Sequence, residues 1–177
     1  VLTAMEDVAP ILAHNPAAVE VMDDVLLDLA RETAEFAPVV DILPEDTDST
    51  LLVEFYADSI AEGKRKVADL LADRLPSYEP VADVRSDRIT TDGVINATDA
   101  LEAYDDDRQA KFWKMRKAGL PILLSRTGDE KHWPFVEDTA VPAENLPEYV
   151  ADIQELFAEY DTFASYYAHA GPGVLHI

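Results

Sequence analysis

Leu51-Leu-Val-Glu-Phe-Tyr-Ala-Asp-Ser-Ile-Ala-Glu-Gly-Lys-Arg-Lys-Val-Ala-Asp-Leu-Leu-Ala-Asp-Arg-Leu75 is the stretch whose reading decides the fold. Residues 51–56 are rich in strand formers, and Thr47-Asp-Ser-Thr50 bounds them on the upstream side. Ser59 followed by Glu62 spells a capping box, so a helix starts there. Ile60, Val67, Leu70, Leu71 and Leu75 then line one face of it. A strand that feeds at once into an amphipathic helix is half of a split β-α-β unit, and the rest of the chain has to supply its partners.

Upstream, Thr3 and Glu6 predict a capped helix over residues 3–13, broken at Asn15-Pro16. Val21, Met22, Val25, Leu26 and Leu29 recur at helical spacing and predict a second helix from Pro16 to about Thr33. Downstream, residues 81–91 have the makings of a short strand. A long helix is expected over about 98–124, carrying Phe112, Trp113, Met115, Arg116 and Leu120, with Pro121 kinking or ending it. Trp133-Pro-Phe-Val136 reads as a strand. Asn145 is placed to cap a helix that presents Leu146, Val150, Ile153, Phe157 and Tyr160 on one face. The chain closes on Tyr166-Tyr-Ala-His-Ala-Gly-Pro-Gly-Val-Leu-His-Ile177, a strand, tight turn and strand with an imidazole at the end of each. Helices and strands in this order predict an α+β fold: a sandwich with helices packed on one face of a mainly antiparallel sheet.

Composition narrows the function classes. Fourteen basic against 36 acidic residues leave a net charge of −22, which repels nucleic acid and anionic membrane surfaces. The acids are spread along the chain, and no segment has the alternating oxygens, Gly and closing Glu of a calcium loop. A solvated acidic surface of the salt-adapted kind is the expectation. Melting temperature should therefore rise between low and molar salt as the self-repulsion is screened, and a flat or falling profile would refute the idea. No cysteine is present, so disulfides, iron–sulfur ligation and thiol nucleophiles are excluded within this chain. No run approaches the ~20 apolar residues of a membrane span, and a cytoplasmic setting, with a high-salt cytoplasm in view, is expected. Val1 in place of Met and the apolar Leu-His-Ile end suggest cuts through a longer polypeptide.

Few residues offer chemistry. His169 and His176 stand in one hairpin and can face one cleft, but two imidazoles fall short of the three protein ligands that zinc commonly takes. Packed or exposed turn histidines are the bland alternative. Arg116 sits among apolar neighbours on a helix, where a guanidinium needs an anion, either a substrate carboxylate or one of the chain's many acids. Glu137-Asp138 reads as turn capping ahead of catalysis. His14 and His132 read as loop residues. No phosphate loop or nucleophile elbow is present.

Three motifs occur in one order: Phe112-Trp-Lys-Met-Arg116-Lys-Ala-Gly-Leu-Pro121, Phe135-Val-Glu-Asp-Thr-Ala-Val-Pro142 and His169-Ala-Gly-Pro-Gly-Val-Leu-His176. Together they resemble the C-terminal, substrate-binding domain of FAD-linked oxidases of the vanillyl-alcohol oxidase/p-cresol methylhydroxylase type. That group holds glycolate oxidase and the D-lactate and D-2-hydroxyglutarate dehydrogenases, and the wording here is nearest the large proteins that fuse FAD and 4Fe-4S halves. The resemblance implies a ferredoxin-like domain over residues 1–177 that covers a flavin held by a separate FAD-binding domain of the parent chain. It implies Arg116 as the residue that binds the carboxylate of a 2-hydroxy-acid substrate. It implies His169 and His176 as ligands of a divalent metal such as zinc or manganese, with a third ligand expected beyond Ile177. A 4Fe-4S cluster would belong to the parent alone, as would any peripheral association with a membrane. Pro172 stands where the family has Asp, and Tyr166-Tyr-Ala precedes His169 where Gly is usual. The isolated chain is expected to hold no flavin and to be inactive. The competing reading is a non-catalytic ferredoxin-like module that binds a small ligand or another subunit.

Overall fold

The protein is described by a computed structural model over residues 1–79, 91–127, 129 and 131–177. The strand expected over 81–91 lies, apart from Thr91, outside the described residues. Among the described residues five strands form one antiparallel sheet: β1 (Ala18–Asp23), β2 (Ser49–Glu54), β3 (Thr139–Ala140), β4 (Tyr167–His169) and β5 (Val174–His176), in the spatial order β2-β1-β4-β5-β3. The expected α+β class with an antiparallel sheet is what forms, but helices cover both faces of the sheet and not the single face expected, because β1 and β4 bury apolar side chains on each side.

The interior strand β1 is the largest departure from the sequence reading. The helix expected from Pro16 to Thr33 is instead β1 running straight into α2 (Asp24–Glu32). Asn15 leaves α1 (Leu2–Leu12) with φ 54, the left-handed conformation that Asn tolerates, and this turns the chain into the sheet. β-Branched Val19 and Val21 then point to one face, and Glu20 and Met22 to the other. A strand buried on both faces shows no clean alternation, and its apolar residues merge with those of the following helix into a false helical stripe. The junction is Asp23. Its carboxylate caps α2 by accepting from Leu26 N at 3.0 Å, and it also accepts from Ser165 Oγ at 2.9 Å and Tyr166 N at 2.6 Å. Burial pushes the Asp23 carboxyl up from its ordinary value, while those three donors pull it part of the way back.

α1, α4 (Ile60–Arg74) and α7 (Leu146–Glu159) cover one face of the sheet. There Met5, Val8, Ile11, Leu70, Leu146 and Val150 pack on Val19, Val21, Ala168 and Leu175. A second apolar cluster lies on the opposite face, where Met22 and Tyr167 meet α2, α3 (Ala37–Val40), α5 (Asp106–Lys117) and α6 (Gly119–Leu124) through Leu26, Val40, Met115 and Leu123. The rest of that second face carries the polar side chains taken up below. Among the described residues no helix is long and apolar enough to cross a membrane.

Local signals fared unevenly. Ser59 caps α4 as expected, accepting from Glu62 N at 3.2 Å, while Glu62 reaches back to Asp58 N at 2.9 Å. Ile60, however, is exposed. The Thr3–Glu6 box does not form: α1 has no side-chain cap, and Glu6 instead accepts from Asn96 Nδ2 at 2.9 Å. The long helix expected over 98–124 shrinks to α5 and α6. Asp105 caps α5 at Arg108 N (2.8 Å), Asp106 and Asp107 fill its first turn, and Lys114, Arg116 and Lys117 fill its last, an arrangement that suits the helix dipole. The break falls at Ala118, and Pro121 sits within the first turn of α6, where a missing N–H costs little. The strand expected at 133–136 is displaced to β3, although Val136 O still accepts from Ile177 N at 2.9 Å. Asn145 precedes α7 but makes no side-chain cap. His14 lies in the turn after α1, as the loop reading expected, but it is not free. It is buried with its Nε2 3.0 Å from Asp73 Oδ2, and Asp73 also accepts from the Thr91 hydroxyl at 2.6 Å.

Candidate functional site

The second face of the sheet gathers the polar residues because antiparallel register puts partners side by side. Glu20 lies opposite His169 between β1 and β4, and Tyr167 lies opposite His176 between β4 and β5. The closing hairpin is therefore strand, turn, strand as expected, with His169 and His176 as the last residues of their strands. Their ring centroids are 5.5 Å apart at an interplanar angle of 80°.

Each imidazole is gripped by a carboxylate at the same nitrogen. His169 Nδ1 lies 2.8 Å and 3.0 Å from the two oxygens of Glu20, and His176 Nδ1 lies 2.6 Å from Glu137 Oε2. An ionised carboxylate only accepts, so Nδ1 donates in both rings, and in the neutral imidazole Nε2 is then the nitrogen with the lone pair. That arrangement, a carboxylate behind a histidine whose other nitrogen is free, is how proteins orient and strengthen metal-ligating imidazoles. The donor set thus fits a divalent ion as far as two ligands go. His176 also stacks on Tyr167, at 4.9 Å between centroids and 22° between planes.

Arg116 is buried on the last turn of α5, as its apolar surroundings in the sequence suggested. Its anion within the fold is Glu20: Nε donates to Oε2 at 2.9 Å, and Nη2 lies 2.8 Å from the same oxygen in an ion pair. Nη2 itself has no well-aligned acceptor among the described residues. The guanidinium also lies over the Tyr167 ring, 5.4 Å from its centroid. Burial, with the Glu137 charge adding to it, pushes the Tyr167 phenol up, so it stays neutral at physiological pH. Glu20 and Tyr167 therefore join the arginine to the histidine pair by two routes. Behind them, Trp113 Nε1 donates to Glu54 Oε1 at 2.9 Å and ties α5 to β2.

Glu137 and Asp138 do not fill the turn-capping role expected of them. With His176 they form a group of three potential ligands whose donor atoms lie within 4.8 Å of one another. As a metal site this group is strained, because ligand atoms around a tetrahedral ion at 2.0–2.1 Å sit about 3.3 Å apart. The 2.6 Å from Glu137 to Nδ1 is a hydrogen bond. Asp138 Oδ1 lies 3.8 Å from the same nitrogen, and Asp138 has φ 55. Glu137 thus serves His176 as Glu20 serves His169. His132 lies in a loop, as expected, and outside this group.

Glu20 is the residue that sequence reasoning missed. Its signal was local but weak: Val19-Glu-Val21 alternates just after the Asn15-Pro16 break, which marks a strand start.

The chain matches the family described as FAD linked oxidases, C-terminal domain, over residues 1–177. It is 28% identical to the D-2-hydroxyglutarate dehydrogenase of Pseudomonas putida, with 99% of this chain and 16% of that protein aligned. It is 31% identical to the D-2-hydroxyglutarate dehydrogenase of Escherichia coli (96% of this chain, 16% of that protein) and 30% identical to that of Pantoea ananatis (96% and 16%). The chain spans about a sixth of the length of these relatives.

Proposed function

The chain belongs to the family of C-terminal domains of FAD linked oxidases, and from that premise we propose that it is the substrate-binding part of a larger flavin-dependent dehydrogenase. The substrate class is a 2-hydroxy acid of the lactate, glycolate or 2-hydroxyglutarate kind. The observation that carries the reading is the joining of Arg116 to His169 and His176 on one sheet face through Glu20 and Tyr167.

Oxidising a 2-hydroxy acid to a 2-oxo acid removes a hydride from C2 and a proton from the hydroxyl. FAD, held by a separate domain of the full-length protein, would supply the hydride acceptor, and a divalent ion such as zinc or manganese held by His169 and His176 would supply Lewis acidity. Arg116 supplies the planar cation for the substrate carboxylate. Nη2, 2.8 Å from Glu20 Oε2 but without an aligned acceptor among the described residues, is the donor that such a carboxylate would have to reach. His169 and His176 present Nε2, each ring held in one tautomer by its carboxylate. Glu20, Glu137 and Asp138 give the site an excess of negative charge over Arg116, which favours a cation before an anionic substrate arrives. With no cysteine in this chain, any 4Fe-4S cluster of the full-length protein is ligated elsewhere.

His169→Ala in the full-length protein tests the reading. Loss of tightly held divalent metal is expected, together with a fall in substrate-dependent flavin reduction of at least a hundredfold, while flavin content is retained. Wild-type reduction by a 2-hydroxy acid in this variant would refute the assignment.

A further inference from the structure

We propose that Glu20 is the positioning residue of this site, one buried carboxylate that sets both the tautomer of His169 and the plane of the Arg116 guanidinium; the inference rests on the functional reading above. Glu20 is 6% exposed on the interior strand β1, and its Oε2 takes Arg116 Nε at 2.9 Å and His169 Nδ1 at 2.8 Å. For stability alone the second partner is superfluous, because a guanidinium already compensates the buried charge. The Asp7–Arg74 pair shows the difference. It is as deeply buried, it has no histidine partner among the described residues, and it is completed by the Val94 carbonyl, the Asn96 backbone N–H and the Thr91 hydroxyl. The His169 side chain, by contrast, is half exposed. Anchoring a surface imidazole adds little to folding, but it decides which ring nitrogen faces outward with a lone pair. The same oxygen holds Arg116, so the spacing between the cation for the carboxylate and the imidazole for the hydroxyl is set by one group. No other described residue is joined to both Arg116 and His169 by a hydrogen bond or ion pair.

The test uses the full-length flavoprotein and Zn2+ as the probe, with its dissociation constant read by competition with a chromogenic chelator. In Glu20→Gln one of the two oxygens becomes an NH2, and because His169 Nδ1 lies within 3.0 Å of both, either orientation of the amide sets a donor against the Nδ1 proton. Zinc should be held about 10–100-fold more weakly, with flavin content unchanged. Asp7→Asn should lower the melting temperature and leave zinc affinity at the wild-type value, which a purely structural role for Glu20 would also predict of Glu20→Gln. Should Glu20→Gln lose its flavin or fold, Glu20→Asp decides. It keeps the charge but draws it back by one methylene, and zinc affinity is expected to fall several-fold. Wild-type zinc affinity in Glu20→Gln, or in Glu20→Asp where the first does not fold, overturns the proposal alone, provided His169→Ala has lost zinc. If the wild-type protein holds no zinc, or His169→Ala holds it unchanged, the functional reading falls and this inference falls with it.

Discussion

Arg116→Ala in the full-length protein is expected to abolish substrate-dependent flavin reduction and to destabilise this part of the protein as well. The two effects have different origins and can be separated. Arg116 and Glu20 are both buried, with side-chain exposures of 6% and 7%. Removing the guanidinium strands a carboxylate out of water, a change that costs about 3–5 kcal/mol, or roughly 10 °C in melting temperature for a chain of this size. On the proposed function the catalytic loss would come from the missing cation for the substrate carboxylate. Arg116→Lys separates the two: it keeps a positive charge near Glu20 but has no planar fork to share between Glu20 and a second carboxylate. It should fold with its flavin and show a KM raised by an order of magnitude or more, since about 1.4 kcal/mol of lost binding is tenfold. A stable Arg116→Lys protein with the wild-type KM would show that Arg116 is spent wholly on Glu20.

Gly173→Ala carries the largest purely structural penalty. Gly173 has φ +75, and a Cβ placed there would stand 1.8 Å from Val141 O, a backbone atom that no side-chain movement can clear. The same residue accepts from Val141 N at 3.0 Å and donates to Ala170 O at 3.0 Å, so it closes the β4–β5 turn and holds the chain after β3 against it. A methyl group must push the two backbones apart. Left-handed backbone in a non-glycine residue adds about 1 kcal/mol of strain, and with the lost ladder bond and the clash we expect about 4 kcal/mol or more. Separation of β3 from β5 also moves Glu137 away from His176, so metal retention should fall with stability. Gly63→Ala is the internal contrast. It lies within α4, its Cβ would meet only Ala57 Cβ at 3.7 Å, and it should raise stability by up to about 1 kcal/mol. Thermal unfolding of the two variants side by side checks both, and equal melting temperatures would contradict the clash.

What was legible in the sequence was what local chemistry specifies. Gly171-Pro172-Gly173 between two short apolar runs marks the closing hairpin, and period-two geometry then puts His169 and His176 at the strand ends. Ser59 and Glu62 mark the start of α4 in the same way. The acidic run Asp105-Asp-Asp107 was legible in principle as a helix start, since carboxylates favour the first turn. It was instead absorbed into the longer helix expected over 98–124, because no Gly or Pro separates it from the apolar residues that follow. β1 failed for a different reason: strand and helix periodicities overlap when a doubly buried strand runs straight into an amphipathic helix.

Arg116 shows where the sequence stops. A guanidinium among apolar neighbours announces that it needs an anion, and that much is local. Which anion depends on bringing together residues 96 positions apart, just as the hold on His169 spans 149 and that on His176 spans 39. The sequence by itself determined the α+β class, the helix and hairpin that carry Arg116 and the two histidines, and the resemblance of three ordered motifs. Only the tertiary structure decided that Glu20 and Glu137 stand behind the imidazoles, and that Glu20 also holds Arg116. Turns and caps are set by backbone conformation within a few residues, whereas a buried carboxylate is assigned its partners by strand register and helix packing.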